Sequence, residues 1–189
     1  VDDGALFGYT PPAGLTWESP RSATVESVSD SSLRLQLVYP SGEAQLDIEA
    51  SGSGRYRLRL VPGRGAERLA YYRLRAGIDA GEGLYGLGSS EDDVNHRGKR
   101  RAMQIEAMAD TESGYNDAHV PIPLAIGTTG WGLFVESRHP GAWDMASSAP
   151  DRIETTWGTG QDSKQGLVFH LFAAARPLDI TQKYYEVTG

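Results

Sequence analysis

The sequence predicts an all-β fold, an antiparallel β-sandwich with one C-terminal helix. Residues 33–37, 44–50 and 55–60 alternate apolar with polar side chains, which is typical of strands with one face on a core and one in water. Short segments rich in Gly, Pro and Ser separate these runs and supply the turn chemistry of neighbouring antiparallel strands. Strands that recur at roughly 8–12-residue intervals favour a sandwich over an α/β fold.

The second half of the chain continues the strand pattern with longer connections. Residues 130–135 predict a core strand, and residues 166–172 predict a strand that is apolar on both faces apart from His170. Residues 97–114 fit two interpretations. Apolar residues at 103, 105 and 107 alternate as in a strand, whereas those at 103, 107 and 108 would also fit one side of a helix. We favour the strand.

A helix is predicted at the C-terminal end of the chain. Asp179 is an N-cap candidate with Gln182 three residues later, and Gly189 stands where a capping glycine would end the helix. The apolar residues between them fall on one helical face: Ile180, Tyr184 and Val187. Because this helix follows about a dozen strands, we expect it to be a boundary element that leads into a further domain.

Length, charge and cysteine content exclude several classes of protein. The 189 residues are 39% hydrophobic, which suits one domain that buries roughly 70% of the surface of its unfolded chain. The chain has no cysteine, so disulfides, thiolate metal sites and cysteine nucleophiles are impossible. The net charge of −7 argues against a general binder of nucleic acid or of anionic membranes. The longest largely apolar run, residues 166–175, is too short to span a bilayer.

The sequence does not indicate a cellular compartment. It begins without Met and without a basic-then-apolar leader, so we expect an excised piece or a mature form. Chains without cysteine occur in oxidising and reducing compartments alike.

The usual motifs of catalytic and cofactor sites are absent from the sequence. There is no G-x-S-x-G element, and the glycines of residues 81–88 lack the Lys and Ser or Thr of a phosphate-binding loop. No two of the four histidines share a metal-ligand spacing on one element: His96, His119, His139 and His170. We predict no metal site and no cofactor. We also expect a hydrogen-bonded core histidine at 170 and a solvated loop for the basic run 97–101.

Carboxylates combined with aromatic side chains are the chemistry that remains, and they are typical of sugar sites. Carboxylates accept hydrogen bonds from sugar hydroxyls, while aromatic rings stack on the C–H faces of sugars. An acidic cluster surrounds Tyr115: Asp110, Glu112 and Asp117. Three tryptophans follow further along the chain: Trp131, Trp143 and Trp157. Solvated acidic loops and buried tryptophans are the alternative interpretation, and the residues by themselves favour it.

Five short motifs, in the expected order, resemble glycoside hydrolase family 31, the α-glucosidase and α-xylosidase family. E-G-L-Y-G-L-G at 82–88 resembles a motif of the N-terminal sandwich of that family, and D-T at 110–111 falls in the place of a family loop. Y-N-D-A-H-V-P-I-P-L at 115–124 and G-W-G-L-F-V at 130–135 are similar to two family strands. Residues 177–189 resemble the helix that leads into the catalytic barrel.

The resemblance implies a galactose-mutarotase-like sandwich over residues 1–176 and a helix over 177–189 that leads to a (β/α)₈ barrel absent from this chain. In the family, the two catalytic Asp residues lie on that barrel, so it implies no catalytic residue here. It places Asp110 on a loop that touches sugar hydroxyls, with Thr111 and Glu112 beside it. The implied partner is an α-glycoside substrate bound jointly with the barrel, with no nucleic acid and no membrane.

Two other functions compete with this interpretation. One is a stand-alone carbohydrate-binding sandwich. The other is a mutarotase-type enzyme, which needs a histidine acid and a glutamate base that face each other in a cleft. The sequence offers candidates without a motif for these roles: His119 or His170, with Glu106 or Glu136.

Overall fold

The computed structural model of the protein describes residues 14–90, 92–103, 120–159 and 163–189. Within these ranges the chain forms twelve strands, two short 3-10 helices and one α-helix. The strands are β1 (Ser22–Val28), β2 (Ser32–Val38), β3 (Glu43–Ala50), β4 (Arg55–Pro62), β5 (Tyr71–Gly77), β6 (Leu84–Gly88), β7 (Lys99–Met103), β8 (Pro121–Gly127), β9 (Trp131–Glu136), β10 (Gly141–Met145), β11 (Arg152–Gly158) and β12 (Leu167–Ala173). The helix α1 spans Leu178–Thr188, and the 3-10 turns span Ala66–Arg68 and Ser163–Gln165.

The strands form two antiparallel sheets, which confirms the predicted all-β sandwich with one C-terminal helix. The larger sheet has eight strands in the order β1-β2-β3-β4-β12-β9-β8-β6, and the smaller has four in the order β5-β11-β10-β7. Every pairing within both sheets is antiparallel. Alternating side chains therefore give each sheet one face for a shared core.

The main core lies between the two sheets. Leu58, Val135 and Phe169 enter it from the larger sheet, and Trp143 and Trp157 enter it from the smaller one. Both tryptophans are only 1% exposed. These large buried side chains supply most of the apolar contact that holds the sheets together.

A second apolar cluster lies on the other face of the larger sheet, under helix α1. Phe134 and Phe172 alternate along their strands with residues of the main core, so their side chains point to the opposite face. The apolar side of α1 covers them through Ile180, Tyr184 and Val187. Gly132 permits this close approach, because a Cβ atom there would run into the Ile180 side chain. The apolar face of α1 is therefore packed on the sandwich itself.

Of the two capping residues predicted for α1, the one at the C-terminal end is confirmed and the one at the N-terminal end is wrong. The N-cap assigned to Asp179 is wrong, because Pro177 occupies the cap position and no side chain caps the helix. Asp179 instead lies in the first turn and accepts hydrogen bonds from Arg176 at 3.0 and 2.7 Å. At the other end, the capping role of Gly189 is confirmed by its φ of 99° and by a bond from its N–H to the Tyr185 carbonyl. No helix in the described ranges is long and apolar enough to cross a membrane.

Candidate functional site

The sugar-contacting residues predicted from the sequence belong to the connection between β7 and β8. They lie outside the described residues, as does the histidine next to them: Asp110, Thr111, Glu112, Tyr115, Asp117 and His119. The same holds for Glu106. Residues 104–119 join β7, an edge strand of the smaller sheet, to β8 in the larger sheet. The structure therefore describes the two places where this segment is anchored.

The first anchor is a cluster of charged and polar side chains at β7, in which Arg101 and His96 are buried and Asp92 is exposed. Arg101 is almost fully buried, and its Nη2 donates to Asp92 Oδ1 at 2.5 Å. Lys99 Nζ donates to the other oxygen of Asp92 at 2.8 Å. The solvated loop predicted for residues 97–101 is therefore wrong, since part of the run is strand and Arg101 lies in the interior. Its charge is matched by Asp92, which precedes it in the sequence.

His96 links this cluster to strand β6. Its Nδ1 accepts a hydrogen bond from Arg101 Nε at 3.2 Å, and its Nε2 lies 2.9 Å from the Gly86 carbonyl oxygen. A carbonyl can only accept, so these two bonds require the neutral ring with its proton on Nε2. Burial lowers the pKa of His96 in agreement with that neutral form, while the Arg101 and Lys99 bonds hold the pKa of Asp92 well below its usual range. The cluster therefore fixes β7 against β6 at neutral pH.

The second anchor is a bulge that the Y-G-L-G motif forms in β6. Gly86, Leu87 and Gly88 all have positive φ, at 99°, 59° and 92°. A Cβ atom at Gly86 or Gly88 would collide with a carbonyl oxygen of β8 or of Val120 just before it, so the motif needs glycine at both positions. The bulge also turns Leu87 fully into the core. Edge strand β6 is thereby locked to the start of β8, where the undescribed segment rejoins the sheet.

The three tryptophans proposed as sugar-stacking candidates have structural roles. Trp143 and Trp157 lie in the core between the sheets. The Trp131 indole donates to Glu82 Oε1 at 2.8 Å, and Thr129 donates to the same oxygen from its N–H at 3.0 Å and its hydroxyl at 2.6 Å. The buried Glu82 carboxylate therefore holds the β8–β9 turn, although its second oxygen accepts no hydrogen bond from the described residues.

The histidine and glutamate considered for a mutarotase are in direct contact. His170 Nε2 lies 3.3 Å from Glu136 Oε2, which leaves no room for a sugar ring between them. The His170 ring is stacked near Phe134 and Phe172, with centroid distances of 5.6 and 6.1 Å. Burial lowers the pKa of His170, and the nearby Glu136 only partly opposes that shift. This is the core histidine that the sequence predicted, placed under helix α1 and not in a cleft.

A cavity of about 560 Å³ among the described residues is a concave feature that sequence reasoning missed. Residues 15–20, the adjoining ends of β3 and β4, and β5 line it. Trp17 is its largest side chain, and the Arg73 guanidinium lies 4.1 Å from the centroid of one indole ring. Trp17 belongs to no alternating run, so no pattern drew attention to it. The one sequence signal for this cavity was a lone tryptophan that lies among polar residues and shortly before Pro20.

The described residues offer no group of three or more metal-ligating side chains that could hold an ion.

Comparison by sequence finds no relatives: no family model matches the chain, and no curated protein matches it significantly. Comparison by structure does find similar folds. The cycloalternan-forming enzyme of Listeria monocytogenes, in complex with a pentasaccharide substrate, matches with a TM-score of 0.59 and 17% identity, over 88% of this chain and 17% of the enzyme.

Two further structures are similar over most of this chain. A family GH31 sulfoquinovosidase from E. rectale, in complex with an aza-sugar inhibitor, matches with a TM-score of 0.58 and 15% identity, over 80% of this chain and 23% of the enzyme. A GH31 dextranase from Flavobacterium johnsoniae, complexed with isomaltotriose, matches with a TM-score of 0.52 and 15% identity. The match covers 86% of this chain and 20% of the dextranase. This chain spans about a fifth of the length of these enzymes. It therefore has the β-sandwich fold that forms one part of glycoside hydrolase family 31 enzymes.

Proposed function

We propose that this chain is the non-catalytic N-terminal domain of a family 31 glycoside hydrolase and that it helps to shape the substrate pocket of that enzyme. The carrying observation is the structural match, which covers 80–91% of this chain but only 17–23% of glycoside hydrolases that are solved with sugars or inhibitors. The five sequence motifs in family order support the same assignment independently.

In this proposal the chain is divided into a galactose-mutarotase-like sandwich over residues 1–176 and a linking helix over 177–189. The (β/α)₈ barrel that follows in the parent enzyme would supply both catalytic carboxylates. Retaining hydrolysis needs these groups about 5 Å apart on either side of the glycosidic bond. This chain contributes neither of them.

The contribution of this domain to the pocket is the segment 104–119. Asp110 accepts hydrogen bonds from hydroxyls of an α-glycoside substrate, and Thr111 and Glu112 lie beside it. A ligand-contacting loop needs rigid supports if it is to hold its carboxylate in place. The Asp92–Arg101–His96 cluster at one end and the glycine bulge at the other are supports of this kind.

A stand-alone carbohydrate-binding module is the second candidate function. The observation that favours it is the cavity beside Trp17, which combines a large aromatic side chain with polar groups. The gene sequence beyond codon 189 distinguishes the candidates. A barrel with aspartates at its strand ends would support the enzyme domain, and a stop codon would refute it.

Substitution of Asp110 tests the role of the segment. In the parent enzyme, Asp110→Ala should lower kcat/KM by about 10- to 100-fold, the loss expected for hydrogen bonds to a charged group. The same change should leave the melting temperature of the 189-residue chain nearly unchanged. Asp30→Ala is the matched control, because Asp30 is an exposed residue in the β1–β2 turn.

Two results would contradict this role. If Asp110→Ala leaves kcat/KM at the level of the Asp30→Ala control, the side chain does not touch substrate. A large fall in melting temperature would instead make Asp110 a structural residue.

A further inference from the structure

We propose that the cavity beside Trp17 is a binding site for a neutral oligosaccharide, separate from the segment 104–119. The site is formed by the strip of residues 15–20, the start of β3 with the adjoining end of β4, and strand β5. Its volume of about 560 Å³ lies within the range of ligand sites, which is roughly 300–1,000 Å³.

The charges around the cavity favour an uncharged ligand. Arg64 pairs with Glu43 at 2.6 Å. Arg75 pairs with Glu154 at 2.5 Å, and Arg73 lies 3.7 Å from the same carboxylate. An anionic ligand would have to displace these carboxylates from the guanidinium groups. A neutral ligand leaves every pair intact.

Aromatic side chains give the cavity the apolar surfaces on which a sugar can stack. Trp17, Tyr39 and Tyr71 all line it. The Arg73 guanidinium covers one face of the Trp17 indole and fixes its orientation through a cation–π contact. A ring held in one orientation loses little conformational freedom when a ligand packs on it.

Polar groups with no hydrogen-bond partner among the described residues supply the hydrogen bonds that sugar hydroxyls need. Neither Trp17 Nε1 nor the Tyr39 hydroxyl bonds to another described residue. Burial raises the pKa of Tyr39, so its hydroxyl stays neutral and can both donate and accept. A sugar hydroxyl can accept a hydrogen bond from Trp17 Nε1 and can donate to or accept from the Tyr39 hydroxyl.

Glu18 keeps the strip of residues 15–20 in place and adds an acceptor. Its Oε2 accepts hydrogen bonds from the Ser41 N–H at 3.1 Å and the Ser41 hydroxyl at 2.8 Å. The carboxylate therefore joins the strip to the turn between β2 and β3. Its other oxygen is available to accept from a ligand hydroxyl.

Calorimetric titration of the 189-residue chain with maltotriose and isomaltotriose tests the proposal. We expect measurable binding of at least one of them, and we expect Trp17→Ala to weaken it at least tenfold, as for an aromatic residue central to a binding site. Tyr39→Phe removes only the hydroxyl and should weaken binding about two- to tenfold. The melting temperatures of both variants show whether the fold is retained. If Trp17→Ala does not fold, the binding measured with Tyr39→Phe tests the proposal alone.

The outcomes also separate this proposal from the function proposed above. Binding that falls with Trp17→Ala and Tyr39→Phe but persists in Asp110→Ala supports the cavity site. Absence of binding, or binding that depends on Asp110 and not on Trp17 or Tyr39, overturns it. If the cavity binds sugar while Asp110→Ala leaves the parent enzyme unaffected, the cavity site stands and the role proposed for the segment fails.

Discussion

The two halves of the eight-stranded sheet differ in what covers them. Strands β12, β9 and β8 are covered on one face by the smaller sheet and on the other by helix α1. At the opposite end, every residue of β1 is exposed, and Val28 reaches 73% exposure. We call strands β12, β9 and β8, together with the smaller sheet and helix α1 that cover them, the packed half. Strands β1 to β3, together with the preceding residues 15–20, are the open half. The residues proposed to contact sugar in the cavity lie in or beside the open half, whereas the largest buried side chains lie in the packed half.

This difference suggests a division of labour within one sandwich. Apolar burial stabilises the packed half, since each fully buried large side chain contributes about 1.5–3 kcal/mol. The open half carries surface ion pairs such as Arg34–Asp47 at 2.6 Å, which contribute little in water. Its surfaces are therefore free to serve binding without a large loss of stability.

The largest expected contrast is between two tryptophans, one in each region. Trp157→Ala should lower the free energy of unfolding by about 3–5 kcal/mol, because it empties a core site and removes the bond from Trp157 Nε1 to Thr155. Trp17→Ala should cost only about 1 kcal/mol, since Trp17 is half-buried and loses mainly its contact with Arg73. Urea denaturation of both variants measures the contrast. Equal losses of unfolding free energy would refute the division between a packed half and an open half.

Helix α1 offers a smaller contrast between its two sides. Ile180 is fully buried against Gly132 and the phenylalanines, so Ile180→Ala should lower the free energy of unfolding by about 2–4 kcal/mol. Leu178 is 83% exposed on the same helix, and Leu178→Ala should change the free energy of unfolding by no more than about 0.5 kcal/mol. Thermal denaturation distinguishes them. A loss at Leu178 as large as that at Ile180 would mean that the helix packs differently.

A pH dependence is the smallest of these effects, and it also belongs to the packed half. Burial lowers the pKa of both His96 and His170 in the folded chain. The unfolded chain therefore binds protons first as the pH falls below about 6.5, so stability should decrease from that pH downward until the folded-state pKa is reached. Unfolding measured at several pH values should show this decrease, and His170→Gln should reduce it.

A matched control for this experiment is the exposed His139. His139→Gln should leave the pH dependence as it is in the unmodified chain. If His170→Gln and His139→Gln behave alike, burial of His170 under α1 does not set the dependence.

Local pattern was sufficient to predict the fold class and much of the core. Alternation correctly assigned Leu58 and Leu60 to the face opposite Arg57 and Arg59, because a strand with one buried face requires it. The division of strands between two sheets was beyond the sequence pattern. It depends on pairings between distant residues, such as β12 with β4, that no local signal encodes.

The wrong predictions have different physical causes, and the first of them is local. Asp179 could cap a helix, but Pro177 already adopts helical angles and Arg176 binds the carboxylate. The charge of Arg101 suggested solvent exposure, yet its side chain is buried and bonds to the exposed Asp92 and to the buried His96. Trp17 was overlooked because its importance comes from the cavity around it, which forms only in the folded chain.

The side-chain N–H resonances of the four tryptophans test the central distinction most directly. We expect titration of the ¹⁵N-labelled chain with isomaltotriose or maltotriose to shift the indole resonance of Trp17, because its ring lines the cavity. The resonances of Trp131, Trp143 and Trp157 should stay in place, because those rings belong to the packed half. If a packed-half indole shifts while Trp17 does not, or if no indole responds to either sugar, then ligand contact in the open half is refuted.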